Sequence, residues 1–370
     1  MRVRSLGAGA ALLLTAGLAA SLSGTPAART TVTAADAGAR LTAIGPLAFG
    51  PGNVLFAADP QAAAIYAFDL GSGGAPGAAD VADLDTKLAA VLGTEAAQVT
   101  ITDLAVHPTT RNVYVAAMRG TGPAAAPALV RLDGAGTLDL VALDTLKFST
   151  VALPNAPAAN PSARRDPRAA SITDMAFEDG RLIVAGLSNE EFSSKLRSVQ
   201  YPFSTVEPGT SVEIYHGNHG ALETRSPVYA FVPYTIGGEK QIVAGYLCTP
   251  LVTLPMTALT SAAPGSKVRG TTIAELGAGN RPIDMIVYAR DGKDYLLMSN
   301  TSRGVMKIPT ATFAGARGIE SRVAEGTAGV PFETLAGLKG VEHLDRSGTD
   351  KVVVLARAET GLALRTIPLP

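Results

Sequence analysis

Apolar residues along this chain come in short runs, arranged as pairs separated by a few polar or glycine-bearing positions. Residues 101–106 (ITDLAV) precede a turn and then 112–117 (NVYVAA). Residues 172–177 (ITDMAF) likewise precede 181–186 (RLIVAG), and 282–287 (PIDMIV) precede 295–298 (YLLM). Each pair predicts a β-hairpin. Weaker copies fill the gaps: 46–49 with 53–57, 228–232 with 241–245, and 340–344 with 352–356. A third run follows several hairpins, as at 64–68, 128–132 and 304–308, and a fourth follows at 138–143.

With Pro46, Asp103, Asp174, Tyr229, Asp284 and Val341 as landmarks, the steps are 57, 71, 55, 55 and 57 residues. Units of three or four short strands at a near-constant period predict an all-β fold, a β-propeller. A single such unit leaves both sheet faces apolar, and radial stacking buries each face against its neighbour. Closing the ring removes the open ends. Six landmarks favour six blades. Seven are allowed if the 71-residue step hides a degenerate one. That step contains the Pro/Ala/Arg-rich stretch 154–168, which reads as an inserted loop.

Two segments depart from the strand pattern. Residues 81–92 (VADLDTKLAAVL) place Leu84, Leu88, Val91 and Leu92 on one face of a predicted helix. Residues 189–203 (NEEFSSKLRSVQYPF) open with a capping residue and two acids and end near Pro202, which predicts a second helical insertion. Insertions into repeat folds gather on one face, often the binding face.

Arg2 and Arg4 precede an uncharged apolar run over 6–20, and small residues follow at Ser21, Ser23, Gly24, Ala27 and Ala28. That order is a secretory signal pattern, assigned to residues 1–28 with the cleaved bond left open. An uncleaved anchor is the alternative. Export to the periplasm or the medium is expected, with no spanning segment in the mature chain. Residues 29–44 then form an N-terminal segment whose 39–44 portion is expected to complete the last blade and lock the ring. Residues 45–370 form one propeller domain, expected to be a monomer.

The inner strand carrying Asp, the glycine turn and the V-Y-V-A-like second strand resemble the NHL-repeat and YVTN-type β-propellers of the bacterial envelope. The resemblance runs through all six landmarks and implies the fold. It implies no single activity, because such propellers include lactone hydrolases, lyases, redox proteins and binding scaffolds.

Composition narrows the field. Thirty-one basic and 32 acidic residues leave a formal charge of −1, too balanced for a nucleic-acid-binding surface. One cysteine excludes an intrachain disulfide, a multi-cysteine zinc site and covalent c-type haem. No G-x-S-x-G, P-loop or H-E-x-x-H pattern is present.

Three residue groups remain as candidates. Asp103, Asp174 and Asp284 share one register, so on innermost strands they would meet around the channel. There they could bind a calcium-class ion, or each could accept backbone N–H groups at its own strand entry. His216 and His219, flanked by glycines, with Cys248 and Met256 beyond, carry the ligand types of an electron-transfer copper site, although not the usual spacing. Asn189, Glu190 and Glu191, with His216, His219 and Arg225, are candidates for binding a small molecule or an envelope protein. The leading functional expectation is an exported binding scaffold acting through its loop-bearing face. The alternatives are a metal-dependent, lactonase-like hydrolase or lyase, and a copper redox protein.

Overall fold

The structure, a computed structural model, describes residues 1, 33–34, 38–71, 73–248, 250–261, 267–324 and 326–370. Apart from Met1, the expected signal segment 1–28 lies outside the described residues. The rest is a six-bladed β-propeller. In chain order the inner strands of blades I to VI are Leu47–Phe49, Val99–Val106, Asp174–Glu178, Val228–Ile236, Pro282–Arg290 and Val341–Ser347. The 71-residue step hides no seventh blade. It holds Phe148–Ala152, the late-returning strand of blade I, and the loop that follows it.

Blade order around the ring is not chain order. Between its third strand, Ala64–Asp69, and the return at Phe148–Ala152, blade I is interrupted by the whole of blade II. Blade II lies on one side of blade I and blade III on the other, so the ring reads II–I–III–IV–V–VI and back to II. Each of the six seams is a separate apolar cluster formed by two facing blades. Further threads cross between blades. Lys267–Arg269, from the blade IV excursion, pairs in parallel with Thr210–His216 of blade III. Ala328–Gly329, which follows the third strand of blade V, adds to blade IV.

The ring is locked by a different segment from the one expected. Residues 39–44 form no strand, and Ile44 is buried at the seam of blades I and II. The outer strand of three-stranded blade VI, Gly361–Pro368, is instead capped by the connection leading into blade II. Val81 and Leu364 exchange two 2.9 Å backbone hydrogen bonds. Carboxylates of Asp80 and Asp85 accept the N–H groups of Thr366 and Leu362. The helix Leu84–Leu92 follows, close to its predicted position. Leu84, Leu88 and Leu92 recur every four residues and enter the II–VI cluster, and Gly93, at φ +63°, ends the helix.

The predicted second helix does not form. Ser194–Gln200 is the third strand of blade III, paired in register with Arg181–Leu187. Leu196 packs into the III–IV seam and Val199 into the I–III seam, an alternation of period two that outweighs the local capping signal.

Leu88 is fully buried at the closing seam. Leu88→Ala is expected to lower unfolding free energy by about 2–5 kcal/mol, through lost burial and the cavity left behind. Urea denaturation checks this, and a loss below about 0.5 kcal/mol would contradict closure at this seam.

Candidate functional site

Each inner strand sends side chains into the central channel, and the three repeated aspartates meet at its waist. Cavities of about 890 and 590 Å³ open to either side, and Asp103, Asp174 and Asp284 line both. Their first task is structural. Oδ1 of Asp103 accepts the N–H of Leu104 on its own strand (2.8 Å), and Oδ2 accepts that of Leu47 on blade I (2.6 Å). Asp174 does the same with Met175 and with Phe231 of blade IV, both at 2.7 Å. Asp284 accepts the N–H of Leu344 on blade VI at 2.8 Å.

Two functional residues of this waist were not singled out in the sequence. Asp345 of blade VI joins Arg346 to Val106 of blade II through the same pair of bonds. All four clips run in one sense around the ring: II to I, III to IV, V to VI and VI to II. The other is His343, which follows the bulge of its strand as Asp103 follows its own. His343 Nδ1 lies 3.0 Å from Asp284 Oδ2 and 3.6 Å from Asp103 Oδ1. The signal for both lay in residues 341–346 (VEHLDR), where His occupies the aspartate register and Asp stands two positions later.

Burial and the neighbouring Asp284 push Asp103 up to about 8, although the His343 cation and two N–H groups pull the other way. Burial raises Asp174 well above the usual carboxylate range and brings Asp345 to about 7. Burial alone would lower His343, but the charge and hydrogen bond of Asp284 dominate and carry it to about 9. An imidazolium thus stands among the carboxylates. Asp103, Asp284 and His343 each bring a ligand atom within 4.8 Å of the others. The group is nevertheless a poor seat for calcium, which takes six to eight oxygens. The oxygens of Asp103 and Asp174 already accept backbone N–H groups, and His343 supplies a positive charge where the ion would sit.

The larger cavity is the mouth of the channel. The insertion 154–168 reaches it with Arg164, Arg165 and Asp166, while blades IV and V contribute Tyr229, Cys248 and Arg281. Arg281 lies over the Tyr229 ring, 5.3 Å from its centroid. Among the described residues, no carboxylate forms an ion pair with Arg164, Arg165 or Arg281. Oδ1 of Asp166 accepts the N–H groups of Asn160 and Arg168.

The other sequence candidates separate. Asn189, Glu190, Glu191 and Arg225 line an open groove beside residues 157–160. Glu190 lies 2.8 Å from buried Lys195, which accounts for its charge structurally. His216 and His219 are absent from that groove and lie with Cys248 instead. Met256 does not join them. It follows the strand Pro250–Pro255 and so sits a full strand length from Cys248.

No protein-family model matches the chain, and no curated protein matches it. Among solved structures it is similar to an oxidoreductase (glucose dehydrogenase) of Thermus thermophilus, at 13% identity and a TM-score of 0.37, over 92% of this chain and 99% of that one. It is also similar to the apo soluble aldose sugar dehydrogenase of Escherichia coli, at 12% identity and a TM-score of 0.34, over 92% and 100% of the two chains. A chain of the mitotic checkpoint complex gives 11% identity and a TM-score of 0.39, over 100% and 99%. Likeness at this level bears on neither ligand nor chemistry.

The waist sets a pH dependence. Asp103 and Asp345 bind a proton more tightly when folded than their ordinary value of 3.8 allows, so stability falls as pH rises toward about 8 and about 7 respectively. The stability contributed by His343 is complete below 6.5 and is lost as pH rises through about 9. All three slopes share one sign, so the melting temperature is expected to fall from pH 5 to 9, most steeply between about 6.5 and 7, where all three groups titrate. His343→Gln, which strands buried carboxylates without their cation, is expected to cost about 3 kcal/mol at neutral pH. Part of that loss should return in Asp284→Asn/His343→Gln. Melting curves across pH check both points, and a flat or rising wild-type profile would contradict them.

Proposed function

We propose that this protein is an exported propeller of the NHL/YVTN-like kind that binds a small anionic, oxygen-rich molecule in the mouth of its channel. One observation carries the reading: three guanidinium groups without carboxylate partners and one imidazolium converge on a cavity of about 890 Å³. That volume suits a small metabolite. The floor is less negative than its composition implies, because Asp103 and Asp174 keep their protons far above the usual range. Residues 164–166 of the insertion 154–168 line the cavity, and loops on rigid scaffolds are where binding groups concentrate. A carboxylate or phosphate ligand would receive charge-assisted hydrogen bonds from Arg164, Arg165 and Arg281, with Tyr229 beneath Arg281 as an apolar wall.

The export signal supports action in the periplasm or medium, and among the described residues no helix is long and apolar enough to cross a membrane. We read the chain as a monomer whose partner is a small molecule, with an envelope protein as the alternative. A calcium-dependent hydrolase is less favoured because the aspartate ring is occupied by backbone donors and His343.

The test is calorimetry and thermal shift with citrate, gluconate and inorganic phosphate, alongside glucose as a neutral control. At least one anion should bind and raise the melting temperature, while glucose does not. Arg281→Ala and Arg164→Ala/Arg165→Ala should each weaken binding about 10-fold or more, with the ligand-free melting temperature unchanged. Binding that survives all three substitutions together would overturn the reading, as would no response to any anion.

A further inference from the structure

Away from the channel waist, the turn 216–220 meets the end of a blade IV strand at the III–IV seam. Two hairpin strands of blade III, Thr210–His216 and Ala221–Glu223, pair so that Ile214 faces Glu223 and His216 faces Ala221. The four-residue connection is tightly specified. Gly220 N–H donates to His216 O at 2.8 Å, and Gly220 has φ +67°. Gly217 N–H and Asn218 Nδ2 donate to the two oxygens of fully buried Glu275. A Cβ at Gly217 would lie 2.9 Å from that carboxylate, so this glycine is needed for the close approach.

The held turn places the two imidazole rings side by side, with centroids 3.8 Å apart and planes 35° apart. One carboxylate orients both: Glu223 Oε2 lies 2.9 Å from His216 Nδ1, and Oε1 lies 2.5 Å from His219 Nδ1. With each Nδ1 proton given to Glu223, each Nε2 keeps its lone pair for another partner. His216 is 1% exposed, yet its Nε2 has no hydrogen-bond partner. A buried acceptor left unpaired is uncommon and calls for an explanation.

Cys248 supplies the third group. A nitrogen of each histidine and the Cys248 sulfur all lie within 4.8 Å of one another. Cys248 has φ +62°, a conformation that a residue with a Cβ seldom adopts, and its N–H is tied to Asn280 O at 2.6 Å. Backbone of this kind is retained where a side chain must be aimed.

We propose that His216, His219 and Cys248 form a zinc site with an open fourth position, oriented by Glu223. Two imidazole nitrogens and one thiolate suit a borderline-soft divalent ion. Tetrahedral zinc sits about 2.0–2.1 Å from nitrogen and about 2.3 Å from sulfur, so its ligand atoms stand about 3.3–3.8 Å apart. The three ligand atoms already lie within 4.8 Å of one another, so binding requires them to draw in by about 1 Å. The paired Nδ1–carboxylate bonds are the outer-shell arrangement that fixes the tautomer and orientation of metal-ligating histidines. An electron-transfer copper site would add a long axial thioether, and Met256 lies too far away to provide it. His219 is about half exposed, which leaves water access to the fourth position. Because the ligands come from two blades, the ion would staple the III–IV seam. Cys248 also lines the channel mouth, which puts the ion in the wall of that cavity.

The test titrates the reduced, metal-free mature protein with Zn²⁺ alone. One equivalent should bind and raise the melting temperature. His216→Ala and Cys248→Ser should each weaken binding about 100-fold or more, and Glu223→Gln about 10- to 100-fold. Metal-free melting of Cys248→Ser should stay at the wild-type value, which separates ligation from folding. On wild-type protein, Co²⁺ should give a thiolate charge-transfer band and intense tetrahedral ligand-field bands, and Cys248→Ser should lose the former. Absence of stoichiometric Zn²⁺ uptake, uptake undiminished in Cys248→Ser, or tight binding confined to copper would overturn the proposal.

Discussion

The ring is held at its axis by carboxylates that bond to backbone across blade boundaries. A sheet stacked on a sheet through apolar side chains can slide, because the hydrophobic effect has no direction. A carboxyl group that accepts one N–H from its own strand and one from the next blade fixes the offset between them, because a hydrogen bond, unlike apolar contact, is directional. Asp103, Asp174 and Asp345 make this double contact, and Asp284 makes the inter-blade half of it. The cost is desolvation of several like-charged groups in one channel. Proton retention by the aspartates and the cation of His343 offset that cost. Structure and site chemistry are therefore coupled. The clips that define the propeller also leave the channel mouth richer in donors than in negative charge.

Interleaving of blades supplies the second constraint. Because blade II is built inside blade I, the connection before it lies beside the last strand of the chain and caps that strand. Propeller ends are weak points, since an open sheet edge or face invites other pairings. Here the lock comes from an internal connection. Strand pairs 267–269 with blade III and 328–329 with blade IV add further stitches between neighbours. Local opening of one blade must therefore disturb another, and the loops that line the mouth rest on a rigid ring.

One face collects the chemistry. The insertion 154–168 separates the channel mouth from the groove lined by Asn189, Glu190, Glu191 and Arg225, while Cys248 connects the mouth to the paired histidines. Of these, the groove has the plainest structural account, because Glu190 is paired with buried Lys195. The mouth and the histidine pair both retain polar groups that the protein itself leaves without partners, and for that reason functional meaning is placed there.

Much of the architecture was legible in the chain itself. Paired apolar runs at a near-constant step specify sheet units with two greasy faces, and such units can bury themselves only against copies of one another. The shared register of Asp103, Asp174 and Asp284 was visible for the same reason: strand periodicity carries residues to equivalent places. The strand at 194–200 is not legible in the sequence because a capping signal is local, whereas the alternation of Leu196 and Val199 gains its energy only from seams that neighbouring blades create. Ring order, the lock at residues 80–85, the place of His343 among the carboxylates and the meeting of Cys248 with His216 were decided by the tertiary structure alone. Those contacts join segments far apart in the chain, and nothing in the spacing of either partner records the geometry of the other.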